Sequence, residues 1–97
     1  MYTTVRQYAG VTPATVDQLL AHRAEVAAVV RAAPGFVRYS LVRTATGLTS
    51  ITECRDRAGA EAATRRVAAW VAATLPTLGA TQVTVAAGED VLRVAAA

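Results

Sequence analysis

The chain alternates between short runs rich in Thr, Val and Tyr and longer runs in which apolar residues recur every three or four positions. The first short run, residues 2–9, predicts a strand. Thr12 and Pro13 then predict a helix start, because the Thr hydroxyl accepts an early backbone N–H and the missing Pro N–H costs nothing in the first turn. The apolar stripe that follows predicts one amphipathic helix ending near Ala33, before a Pro-Gly break.

A hairpin, a second helix and a last strand follow. Residues 36–43 and 48–55 predict two strands joined by a turn at TATG. Asp56 is suited to cap a second helix, which the apolar spacing extends to about Leu78. Residues 81–96 predict a last strand that is interrupted at GED.

This order, β, α, β, β, α, β, predicts a single α+β domain over residues 1–97. Its architecture is a ferredoxin-like sandwich, with an antiparallel four-stranded sheet and two helices on one face. The strands do not alternate cleanly, because Phe36 and Val42 are apolar on one side of the first hairpin strand and Tyr39 and Leu41 on the other. A sheet wetted on one face normally alternates. We therefore expect a homodimer that packs sheet to sheet into an α/β barrel.

Composition narrows the possible partners. Alanine supplies 23 of the 97 residues, so a monomer has a small core, and burying further apolar area in a dimer is favourable. The net charge of +3 comes from ten scattered arginines and no lysine, without the basic stripe of a nucleic-acid binder. Neither a signal peptide nor a membrane-spanning run is visible. We expect a soluble, cytoplasmic protein with no nucleic-acid or membrane partner.

Two further features exclude particular chemistries. The RNA recognition motif shares this element order, but its third strand stacks bases on aromatic residues, and LTSITECR contains none. The single cysteine, Cys54, excludes an internal disulfide and a multi-cysteine metal site, and its position in a strand indicates a small buried residue. We expect no metal and no cofactor.

Three stretches together resemble the antibiotic biosynthesis monooxygenase domain, a family of the dimeric α/β-barrel superfamily. They are PGF before the hairpin, the passage LTSITECRDRAGAEAATRRVAAWV, and the glycine near the last strand. The resemblance covers essentially the whole chain. It implies a pocket between the sheet and the helices of each subunit, and members that either oxidise polycyclic phenols without a cofactor or bind and degrade haem.

The chain departs from this family pattern at the residues that carry the chemistry. Both groups of enzymes are known for a pocket asparagine, and this chain contains no asparagine. The haem-degrading relatives also use a histidine on the second helix, where this chain has Trp70 and no histidine. Haem degradation is therefore not expected.

Within this resemblance, four residues are candidates for catalysis. Arg23 falls near the centre of the first helix's apolar stripe, where an unpaired guanidinium would be costly. Its side chain either reaches the rim, pairs with a carboxylate such as Glu53, or holds a substrate anion. Trp70 is either a packing residue or a wall for a flat ligand. Tyr8 or His22 would carry protons.

A further four positions are expected to bind substrate. These are Phe36, Tyr39, Val67 and Thr74. Two functions remain open: a cofactor-independent monooxygenase acting on an aromatic or enolisable small molecule, or a non-catalytic module of the same fold that binds a small ligand or serves in assembly.

Overall fold

The computed structural model describes residues 1–79, 81 and 83–97. The strands are β1 (Tyr2–Ala9), β2 (Phe36–Thr44), β3 (Gly47–Cys54) and β4 (Val83–Glu89). The helices are α1 (Pro13–Ala21), α2 (Arg23–Arg31), α3 (Arg57–Thr74) and α4 (Pro76–Gly79). All strand pairs are antiparallel, in the order β2-β3-β1-β4, which confirms the predicted α+β ferredoxin-like fold. Among the described helices, none has the length and apolar character needed to cross a membrane.

Both predicted helix caps are present. The Thr12 hydroxyl accepts a hydrogen bond from the backbone N–H of Thr15 at 3.3 Å, and Pro13 begins α1. The Asp56 carboxylate accepts one from the N–H of Gly59 at 2.8 Å. These bonds satisfy N–H groups that have no partner within a helix, so they define where α1 and α3 begin.

The first helical run is broken at His22, so the prediction of one continuous helix to Ala33 was wrong. The His22 backbone lies outside the helical region, at φ −100° and ψ 16°, and its N–H donates to the Leu19 carbonyl at 3.0 Å. This tighter i to i−3 turn ends α1, and α2 begins at the next residue. Arg23 is consequently exposed, instead of lying in the buried stripe that a straight helix would give it.

The second helical run also ends earlier than predicted. α3 stops at Thr74, and Leu75 has the non-helical angles φ −130° and ψ 68°. The ring of Pro76 disfavours a helical conformation at the residue before it, and the chain restarts as the short α4. Leu78 is nevertheless buried, as its place in the apolar face predicted.

The predicted last strand is too long, because β4 ends at Glu89 and is not resumed after GED. The N–H of Asp90 donates to the carbonyl of Met1 at 2.9 Å, just beyond the end of β4. Arg93 then pairs with Asp90 and with Glu53, both at 3.0 Å. Beyond Asp90 the apolar side chains point to solvent; Val91, Leu92 and Val94 are exposed.

An irregularity in β2 resolves its mixed pattern. The pairing with β3 shifts register between Phe36 and Arg38, so Val37 is the extra residue of a bulge. Phe36 pairs with Cys54 and Tyr39 with Thr52, so both lie on the helix-facing side of the sheet. The simple odd-even assignment, which separated Phe36 from Tyr39, was therefore wrong.

The helix-facing side of the sheet is packed closely beneath α3. One core cluster contains Cys54 with Ala60 and Ala63 of α3, all essentially inaccessible to solvent. At Gly59 a Cβ atom would lie 2.1 Å from the carbonyl oxygen of Pro34. The small residues of α3 thus allow its first turns to approach the loop before β2.

We predict that Gly59→Ala destabilises the protein, although alanine is the better helix former by about 0.5–1 kcal/mol. The new methyl group would overlap the Pro34 carbonyl, and such overpacking typically costs about 1–3 kcal/mol. Urea denaturation would show a lower midpoint for Gly59→Ala than for the wild type. An equal or higher midpoint would contradict the close contact. The exposed Ala58→Gly exchange is the control, since it changes helix propensity alone.

Candidate functional site

An open groove of about 410 Å³ runs between the α1–α2 pair and the edge strand β2. Val26 and Val30 of α2 form one wall. The opposite wall consists of Phe36, Tyr39 and Leu41, which the β2 bulge brings to one side and which remain only half-buried. The groove is therefore a mainly apolar surface wide enough for a small organic molecule.

Arg23 and Arg31 border this apolar groove, and Arg38 lines its edge while its guanidinium lies on the other face of the sheet beside Glu53. Arg23 is exposed, and its Nη1 donates to the carbonyl of Leu20 at 3.2 Å. Its predicted pairing with Glu53 is absent, since that carboxylate lies 3.6 Å from Nε of Arg38. Of the alternatives for Arg23, the structure therefore shows the position at the rim, where the cation faces an apolar surface.

The pocket expected between the sheet and both helices is closed. Tyr8, Val67 and Trp70 surround an interior void of only about 10 Å³, which is at the lower limit for holding one water molecule. This void adjoins the groove, and the two share four lining residues: Leu19, Val26, Tyr39 and Leu41. Tyr39 thus stands between the open groove and the closed interior.

Trp70 is held by a residue that the sequence did not single out. Its indole Nε1 donates to Oε2 of Glu25 at 3.1 Å, and Oε1 of the same carboxylate lies 3.2 Å from Nδ1 of His22. The His22 and Trp70 rings meet edge to face at 5.8 Å between centroids. The hydrogen bond to His22, and to a smaller extent the one from Trp70, keeps the pKa of Glu25 below its ordinary value of 4.5. Glu25 is exposed on α2, and only the position of α3 brings Trp70 to it.

Tyr39 is the phenol best placed to meet a ligand in the groove. Burial raises its pKa from 10.0 to about 12, and the neighbouring Tyr8 acts in the same direction. A hydrogen bond with Ser50 and the charge of Arg6 oppose the shift without cancelling it. At neutral pH Tyr39 is therefore a neutral hydrogen-bond donor, and it cannot serve as a base.

Arg6 adds a partly buried cation to this region. Its guanidinium lies 5.7 Å from the ring centroid of Tyr8, and its Nε is buried with no hydrogen-bond partner among the described residues. Neither Arg6 nor Ser50 was predicted as a site residue. Arg6 and Tyr8 are two positions apart in β1, so strand alternation places them on the same face, and this is the signal that the sequence offers for Arg6.

The structure divides the eight predicted site residues into three groups. Arg23, Phe36 and Tyr39 lie in the open groove. Tyr8, Val67 and Trp70 lie around the closed void. His22 and Thr74 lie beside a separate surface hollow of about 370 Å³ near the end of α1. Arg23 and Trp70 therefore do not face the same open space. Within the described chain, no three His, Cys, Asp or Glu residues are close enough to hold a metal ion.

Comparisons with known proteins identify the fold. No family model and no curated protein matches the sequence. Among solved structures, a variant of MhuD with two manganese protoporphyrin IX groups per active site has a TM-score of 0.76 and 20% identity, covering 99% of this chain and 100% of that one. A variant of SnoaB, a cofactor-independent oxygenase from Streptomyces nogalater, has a TM-score of 0.65 and 22% identity over 95% and 94% of the two chains.

A third solved structure is an antibiotic biosynthesis monooxygenase, with a TM-score of 0.63 and 22% identity over 95% of this chain and 100% of that one. The chain therefore has the fold of the antibiotic biosynthesis monooxygenases, and the sequence resemblance is confirmed to that extent. At these identities the likeness concerns the fold, and the reaction must be argued from the site.

We predict that the Tyr39 phenol ionises at about pH 12, and that Tyr39→Phe removes this step from an alkaline titration followed by phenolate absorbance. The unfolded chain releases this proton at its ordinary pKa near 10, so the folded state loses stability as the pH rises from there towards 12. Tyr39→Phe should lack this loss. A titration that changes in Tyr2→Phe, and not in Tyr39→Phe, would contradict the assignment.

Proposed function

We propose that this protein binds the anion of a flat aromatic or enolisable small molecule in the α1–α2/β2 groove and oxidises it with O₂, without a cofactor. The observation that carries the proposal is the apolar groove bordered by Arg23, Arg31 and the neutral Tyr39 phenol. An apolar floor suits a ring system, and the cations suit an enolate or phenolate oxygen.

The reaction would draw its electrons from the substrate. A C–H next to an enolisable carbonyl loses its proton, and the resulting carbanion or enolate reduces O₂. In the overall balance a CH₂ group becomes C=O, one oxygen atom enters the product, and the other leaves as water with the two hydrogens. The protein would contribute a cation that stabilises the anion and a surface that excludes water.

Arg23 would take the role that the absent asparagine has in the resembling enzymes, by donating N–H groups to the substrate oxygen. Tyr39 would donate a second hydrogen bond, because its raised pKa keeps it protonated. No carboxylate or histidine lines the described groove. The substrate must therefore be acidic enough to give up its proton to bulk water before it binds, and the arginines then stabilise its anion in the groove.

Haem does not fit the residues that are present. The only histidine, His22, lies outside the groove and is bonded to Glu25. The porphyrin held by the MhuD variant is consequently no guide to the ligand here, although it is a flat aromatic molecule. Support for the oxidation comes from SnoaB, which shares the fold and is a cofactor-independent oxygenase.

A second candidate function is binding without catalysis. It is favoured by the closed interior, where Trp70 is bonded to Glu25 and the void measures about 10 Å³. Such a protein would hold the same class of anion in the groove and release it unchanged.

We predict that wild-type protein binds 1,8-dihydroxyanthrone, measured by calorimetry under anaerobic conditions, and that Arg23→Ala weakens the binding about tenfold through loss of a charged hydrogen bond. The control is Arg66→Ala, which removes an exposed arginine of α3 outside the groove. In air, an oxygen electrode should show uptake faster than the spontaneous oxidation of the probe. Binding without faster uptake would favour the second candidate, and equal affinity in both variants would contradict the site.

We also propose that two copies pack through the open face of the sheet. At its centre Ile51 pairs with Val5, and Val5 with Ala86, while Val42 is 43% exposed nearby. This apolar centre would be buried against the same surface of a partner.

Sedimentation velocity tests this interface. We predict a dimer for the wild type and a monomer for Val42→Asp and for Ile51→Asp, because a carboxylate at the centre of the contact would be desolvated. Ala72→Asp on the exposed side of α3 should remain dimeric. A folded dimer of Val42→Asp, checked by circular dichroism, would overturn the proposed face.

A further inference from the structure

The Glu25–Trp70 hydrogen bond occupies a particular place in the fold. It joins α2 to α3, and among the described residues it is the only hydrogen bond between side chains of these two helices. Trp70 closes the interior void on the α3 side, whereas Val26 on α2 borders both the void and the groove. A movement of α2 that carries Val26 away from Trp70 would widen the void on the side where it adjoins the groove.

The backbone at His22 provides a hinge for such a movement. α1 and α2 are separate nine-residue helices, and the backbone between them leaves the helical region at His22. The far end of α2 is followed by the loop that carries Pro34 and Gly35, with Gly35 at φ 72°. α2 is thus bounded by two non-helical points, and rotation there would require no helical hydrogen bond within α2 to break.

We propose that Glu25 is a positioning residue that holds Trp70 and so keeps the interior closed, and that a ligand in the groove binds more tightly when this bond is released. In the released state α2 turns about His22, and the groove and the void become one cavity. Trp70, Tyr8 and Val67 then reach the ligand together with Tyr39. This inference rests on the proposed function for the identity of the ligand, but the hold on Trp70 can be tested without one.

Trp70 is the only tryptophan of the chain, so its fluorescence reports on this bond directly. In the ligand-free protein, Glu25→Ala should raise the rate of acrylamide quenching about twofold or more, because the population with a released ring increases. Glu25→Gln keeps an oxygen that accepts from the indole N–H, and it should restore most of the wild-type protection. The matched control is Glu61→Ala, which removes another exposed glutamate that is paired on α3 itself with Arg57 at 2.8 Å.

Ligand binding supplies the second measurement. If the closed interior reduces the fraction of molecules that can bind the ligand fully, Glu25→Ala should bind 1,8-dihydroxyanthrone about three- to tenfold more tightly than the wild type. The affinity of Glu25→Gln should be close to that of the wild type. Equal quenching in Glu25→Ala and Glu61→Ala would overturn the hold on Trp70. If Glu25→Ala shows faster quenching but unchanged or weaker affinity for the probe, the proposal that the Glu25–Trp70 bond controls ligand binding in the groove would be overturned. Absence of probe binding in every variant would count against the proposed function, while the quenching result would still decide whether Glu25 holds the ring.

Discussion

The groove depends on one extra residue in an edge strand. Without the bulge at Val37, the pairing of β2 with β3 would place Phe36 and Tyr39 on opposite faces of the sheet. With it, both side chains face the helices, and Arg38 turns to the other face beside Glu53. The aromatic wall of the groove and the ion pair on the open face are therefore two consequences of the same register shift.

The helix-facing side of the sheet is more polar than a typical core. Thr4, Ser50 and Thr52 are buried there, and Arg6 lies beside them. Burying such groups is unfavourable unless they are paired, so these polar positions contribute little hydrophobic stabilisation. It does provide hydrogen-bonding groups directly behind Tyr39, where they help to set the properties of the phenol.

The sequence predicted the fold well because its strongest signals are local. Thr12 and Asp56 mark helix starts by side-chain hydrogen bonds to residues three positions away, and such bonds do not depend on the rest of the molecule. The sequence did not predict the break at His22, because no Gly or Pro lies at or next to that position. The bulge at Val37 was not predicted either, because the Pro-Gly pair before Phe36 was assigned to the end of the helix and no Gly or Pro lies within the strand itself.

The candidate site was predicted less completely, because it depends on contacts between distant parts of the chain. Glu25 and Trp70 are 45 residues apart, and no periodicity relates them. The sequence identified Arg23 as an unusual residue, but it did not predict that its side chain is exposed. A straight helix would have buried it. The resemblance supplied Trp70 and Tyr8 as site residues, and the structure places both behind Tyr39.

The bond between the N–H of Asp90 and the carbonyl of Met1 brings the first residue of the sequence next to a residue near its end. Both lie at the β1–β4 side of the sheet, whereas the groove lies along β2 at the opposite edge. A short linker could therefore join these two points, and new ends could be opened in an exposed turn such as Ala45–Thr46, to give a circularly permuted chain. The same separation allows a fluorescent or affinity fusion at Met1 to leave the mouth of the groove accessible.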